Sequence, residues 1–177
     1  MNPSKPSSRF TSGLTSLALL TSLTSCGPTP APGPPTLHLA RDTCAECGMI
    51  INEARFAAAL TLDPNATPNA TPNTSANSTA NISSDHLVFD DIGDMLAYER
   101  AHPDLPILAR YVHDYDSKPT ADWLDAQSAT FLISDTIKTP MASGIIAFAD
   151  PTRAQAAATA ANTHPLSLSE LLSRPAH

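Results

Sequence analysis

No stretch limits what this chain can fold into more than the one between Asp63 and Asp85. It reads Asn-Ala-Thr-Pro twice, at Asn65 to Pro68 and Asn69 to Pro72, and runs on as a string of Ser, Thr, Asn and Ala. So little apolar mass cannot offset the entropy of ordering, and the prolines interrupt any ladder or helix, so residues 64–85 are expected to be a loop insert. The fold must be built from the pieces on either side. The N-terminus shortens the usable chain further: Lys5 and Arg9 precede a Leu/Ala/Thr/Ser-rich run from Leu14 to Leu23, which ends in Leu23-Thr24-Ser25-Cys26. A basic start, an apolar run too short to span a bilayer comfortably and small residues before a cleavage point mark a secretory signal over residues 1–25. The final four residues resemble a bacterial lipobox, with Cys26 as the acylated first residue after cleavage. Residues 26–41 then carry five prolines between Gly27 and Thr36, expected as a semi-rigid polyproline stalk that holds the following domain off a membrane.

What remains of the 177 residues suits one small domain or two very small ones. Charge excludes one function class. The chain carries 10 Lys+Arg against 17 Asp+Glu, and losing Lys5 and Arg9 with the signal makes the balance more acidic still. Nucleic-acid binding through a basic face is therefore not expected.

Apolar patterning gives the elements. Met49 to Ile51 and Phe56 to Leu62, joined by a polar Asn52-Glu53-Ala54-Arg55, predict a β-hairpin. Leu87 to Phe89 predicts a short strand. Asp90 and Asp91 sit at a helix start, where carboxylates accept free backbone N–H groups, and Ile92, Met95 and Leu96 form a helical stripe that stops before Pro103. Ile107 to Val112 reads as the next strand. In the second half, Thr130 to Ile133 and Ile145 to Phe148 are strand-like around a turn at Thr139 to Gly144. Asp150 caps an Ala-rich helix with Pro151 in its first turn. Leu166 to Leu172 closes the fold as a strand or short helix, leaving 173–177 as a tail. Two successive units of hairpin, helix and final strand predict an α+β protein of two small ββαβ units.

Sulfur marks the chemistry. Cys44-Ala45-Glu46-Cys47-Gly48-Met49 holds a C-x-x-C pair, a pattern shared by redox dithiols, zinc sites and haem attachment. Haem attachment needs His where Gly48 stands, and a structural zinc site needs two further ligands. Cys44 and Cys47 in an exported chain can also form a disulfide or act as a thiol–disulfide redox pair. The thioether of Met49 beside two thiols suits a soft ion such as Cu(I), which prefers sulfur donors. Met141 follows Pro140 in a turn rather than in an apolar run, which favours a ligand role; Met95 lies on the helical stripe, where core packing competes with ligation. His113, near Asp114 and Asp116, is a weaker candidate. Asp90, Asp91 and Asp94 read as helix-start carboxylates. No Ser-His-Asp order, phosphate loop or H-E-x-x-H is present, and nothing requires an enzyme.

Taken in order, Asp42-Thr-Cys-Ala-Glu-Cys-Gly-Met49, Phe89-Asp-Asp-Ile-Gly93 with Met95 and Leu96, Tyr111-Val112 with Asp114, Trp123, Thr139-Pro-Met141 with Gly144, and Ala147-Phe148 resemble the NosL family, over residues 42–172. That resemblance implies a lipid-anchored Cu(I) carrier on the periplasmic side of a bacterial membrane; separately, Gly27 follows Cys26 where an Asp often retains lipoproteins at the inner membrane, which favours the outer one. The implied partners are nitrous oxide reductase and the ABC-type complex that assembles its copper sites. It also implies a fold similar to the organomercurial lyase scaffold, and a leading ligand set of Cys47, Met49 and Met141, with Cys44 beside them. One departure stands out: many relatives carry Cys between the Gly and Met of the Phe-Asp-Asp-Ile-Gly motif, where this chain has Asp94.

Overall fold

The computed structural model describes residues 33–64, 85–116 and 122–175. The signal, Cys26, the first part of the stalk, nearly all of the insert and the last two residues lie outside them.

The first sheet is built around strand β1, Ala58–Leu62, which is buried almost throughout. It pairs antiparallel on one side with β2, His86–Phe89, and on the other with β3, Ile107–Val112. Helix α1, Ile92–Ala101, connects those two flanking strands. Paired on both edges and with the side chains of both faces buried, β1 has no face for water, which is why it reads Ala-Ala-Leu-Thr-Leu rather than alternating polar and apolar. A two-residue strand, β4, Leu124–Asp125, extends the edge, giving the order β2-β1-β3-β4.

This arrangement realises the ββαβ order but corrects the predicted hairpin. Residues Met49 to Ile51 form no strand: Ile50 makes only an isolated bridge to Thr43, and Ala54–Phe56 is a 3-10 turn. The apolar run mimicked a strand because Ile51 is buried against the core from a loop. The true partner of β1 is β2, on the far side of the insert, with Ala58 opposite Phe89 and Leu60 opposite Leu87.

The second unit pairs β5, Thr130–Ile133, with β6, Ile145–Phe148. Helix α2, Pro151–Ala160, and helix α3, Leu168–Ser173, follow. Of the two forms expected for Leu166 to Leu172, the short helix is the one found, and strand pairing is reduced to one bridge between Leu166 and Phe131. A capping box explains the helix, since Ser167 and Glu170 satisfy each other's free backbone N–H groups.

Side-chain alternation in β5 and β6 decides how the pieces pack. Phe131, Ile145 and Ala147 join the main core, with Phe89, Ile92, Met95 and Val112. Leu132, Ile146 and Phe148 turn the other way and form a smaller core with Phe56 and the α2 alanines Ala154 and Ala158. The two-stranded sheet is thus covered on both faces, and each fully buried Phe or Leu contributes about 2 kcal/mol. Trp123 Nε1 donates to Pro35 O at 2.6 Å, while Leu37 and Leu39 pack against the main core, so the chain from Pro35 onward is tied to the fold. Among the described residues, no helix is long and apolar enough to cross a membrane.

Candidate metal centre

Between Thr43 and Ile50 the chain folds back on itself. Cys44 N donates to Met49 O at 2.8 Å and Gly48 N to Cys44 O at 3.0 Å. Gly48 takes φ +74°, a conformation that side chains with a Cβ rarely adopt, so Gly closes this loop where most residues would strain it. Ala45 N donates to Val88 O at 2.9 Å, which pins the loop to the end of β2. Two residues later that strand delivers Asp90 and Asp91, and the first turn of α1 adds Asp94.

The result is a cluster in which Cys44, Cys47, Asp90 and Asp94 each offer a donor atom, all within 4.8 Å of one another. Cys44 Sγ lies 3.4 Å from Asp94 Oδ2, and Cys47 Sγ lies 3.6 Å from Asp90 Oδ1. Both cysteines are free thiols. Burial pushes both thiols and the Asp94 carboxyl above their ordinary ranges, Cys44 most strongly, because low dielectric disfavours each charged form. Two thiols and two carboxylates so close together repel one another once ionised. A bound cation removes that repulsion.

Asp91 does a different job. It is fully buried and caps α1 by accepting from Gly93 N at 2.7 Å. It also accepts from Thr139 Oγ1 at 2.6 Å, from Met141 N at 3.0 Å and from the Ser143 hydroxyl. This one carboxylate therefore clamps the Thr139 to Gly144 loop of the second unit onto the helix start of the first. Gly93 makes the close approach possible, since a Cβ there would meet Ser143 Cβ at 2.4 Å.

The sequence-derived candidates separate in space. Cys44 and Cys47 come together. Met49 is 49% and Met141 41% exposed, each on a loop tied to the cluster's own scaffold. Met95 is 0% exposed within the main core. His113 lies outside the cluster, buried against the Trp123 ring with centroids 4.1 Å apart and neither ring nitrogen partnered among the described residues. The helix-start expectation for the three aspartates holds as a cap only for Asp91, while Asp90 and Asp94 face the thiols. No local signal marks these two as site residues, because the thiols they face lie more than forty positions earlier in the chain.

Fold and site together define an α+β protein with a candidate metal centre at the junction of a loop, a strand end and a helix start. The chain belongs to the NosL family, whose pattern it matches over residues 35–172. Among solved structures it resembles the crystal structure of the copper chaperone NosL from Shewanella denitrificans, with a TM-score of 0.54 at 18% identity, covering 77% of this chain and 96% of that one. A comparison with curated protein sequences finds no match.

Proposed function

We propose that this protein carries Cu(I) on the periplasmic side of a bacterial membrane, anchored through a lipid on Cys26, and delivers it for assembly of the copper centres of nitrous oxide reductase through an ABC-type complex. Family membership and the copper chaperone among its structural neighbours support the reading. The observation that carries it is the pair of free thiols at a loop edge, within 4.8 Å of two carboxylates and flanked by loops bearing exposed thioethers.

Cu(I) selects sulfur, so Cys47, Met49 and Met141 are its leading ligands, with Cys44 as the inner thiolate. Asp90 and Asp94 are hard donors that a soft ion bypasses. Their place 3.4 to 3.6 Å from the sulfurs suits them to accept the thiol hydrogens of the metal-free protein. Thioethers need no deprotonation, and at the rim they can yield one at a time to an incoming donor, which suits release as well as capture. The alternative, a thiol–disulfide redox protein, is poorly served here: a reactive dithiol needs a lowered thiol pKa, and burial raises both.

Competition of the reduced protein against a calibrated Cu(I) chelator tests the assignment. Cys47→Ser and Met141→Ala are each expected to weaken binding by about tenfold or more, the loss of one soft donor. Unchanged affinity in both variants would sink the ligand set.

A further inference from the structure

A cleft of about 630 Å³ opens beside the metal cluster, a volume in the range of ligand pockets. Its floor is one stripe of α1, Gly93, Ala97 and Arg100 at i, i+4 and i+7, and the small residues in that stripe leave the space open. At one end stand Met141 and Asp94, shared with the candidate metal centre. At the other end of the stripe is Arg100, with Arg174 beside it, and His164 also lines the walls.

The Arg end holds no ion pair among the described residues. Arg100 Nη2 donates to the carbonyl of Arg174 at 3.1 Å. Arg174 Nε is buried with no hydrogen-bond partner. Against them the lining sets only Asp94, already facing Cys44, and Asp135. In a chain whose acidic residues outnumber basic ones 17 to 10, a lining that sets two arginines against two aspartates is less acidic than the chain as a whole, and both arginines gather at one end. A buried guanidinium N–H without an acceptor is costly, and a carboxylate is the acceptor its fork geometry fits.

Length then discriminates among carboxylates. From Gly93 to Arg100 the helix rises roughly 10 Å at 1.5 Å per residue, and a peptide extended in polyproline II geometry covers about 9 Å in three residues and returns side chains i and i+3 to one face. A free amino acid or a small thiol acid is too short to touch Met141 and the arginines at once. We propose that the cleft receives an extended segment of the metal-accepting protein, bearing a thioether or imidazole donor and, three residues away, a carboxylate. The donor reaches the Met141 end while the carboxylate seats between Arg100 and Arg174, so docking and ligand exchange occur together. This rests on the metal-carrier reading above.

The test uses the full chain, reduced and loaded with Cu(I), and three end-blocked peptides containing Met-Ala-Ala-Glu, Met-Ala-Ala-Gln or Ala-Ala-Ala-Glu, with binding followed by calorimetry. The first is expected to bind about tenfold more tightly than either of the others, a preference that added salt erodes. Arg100→Gln and Arg174→Gln should each bring the Glu-to-Gln ratio toward one while leaving chelator-measured Cu(I) affinity unchanged. Equal binding of the Glu and Gln peptides, or a preference that survives both Arg variants, overturns the proposal. Competition by free glutarate as potent as the Met-Ala-Ala-Glu peptide overturns it too, in favour of a simple carboxylate site. Failure to bind Cu(I) strikes the carrier reading alone, because a Glu preference measured on the copper-free chain still supports the cleft.

Discussion

His113 brings two ring nitrogens into the interior and satisfies neither among the described residues, its ring lying against Trp123 instead. Burial holds its pKa below the ordinary histidine value of 6.5. Above that value folded and unfolded chains both hold a neutral imidazole. As pH falls below it, the unfolded chain takes up a proton that the buried ring refuses, and the native state loses stability until the folded pKa is passed. Urea midpoints of the parent and of His113→Leu, measured from pH 8 to pH 5, should therefore diverge in slope, the parent falling more steeply below about 6.5. Parallel curves would show that this ring does not sense pH. Nothing in the sequence around His113 announces such burial: Asp114 and Asp116 lie close in sequence, yet neither ring nitrogen finds a partner among the described residues and the ring packs, tilted, on Trp123.

Elements were legible wherever local pattern and local structure obey the same rule. β3, β5 and β6 follow apolar runs bounded by turn residues, and α1 begins at its carboxylate cap and ends at His102, before Pro103. Pairing was less legible, because the partner of β1 lies beyond the insert and a nearer apolar run offered itself. The two strands nonetheless end side by side, with Leu62 N donating to Asp85 O at 2.6 Å. A short turn can span such ends, and loop-closure cost grows only slowly with length. Replacing residues 65–84 by an Asn-Gly turn is expected to leave the thermal midpoint within a few degrees of the parent and Cu(I) affinity unaltered. A large loss of stability would mean that the insert packs on the domain. The candidate metal centre was half legible for a related reason: Cys44 and Cys47 are neighbours in a motif, whereas Asp90 and Asp94 reach them only through the folding of β2 onto the loop, more than forty positions away.

At the scale of the whole fold, the described residues form two sheets that Asp91 helps to join. Its carboxylate takes donors from α1 of the first unit and from the Thr139 to Gly144 loop of the second. The isolated bridge from Asp114 to Ala147 adds a second link. Asp91→Ala leaves two backbone N–H groups and two hydroxyls to find other acceptors, at a cost of about 2–4 kcal/mol. Urea unfolding should show that loss, and Cu(I) affinity should drop with it as Met141 loses its fixed place. A loss below about 1 kcal/mol would mean that the units hold together by packing alone.

The solvent-facing position of Met49 and Met141, set against the sealed position of Met95, has a consequence for damage. An oxidant converts an accessible thioether to the sulfoxide before a shielded one, and a sulfoxide is polar and a poorer soft donor. With Met49 and Met141 as the proposed ligands, oxidation would strike metal binding first and leave the interior, where Met95 lies, intact. Methionine sulfoxide reduction can restore the protein without refolding it.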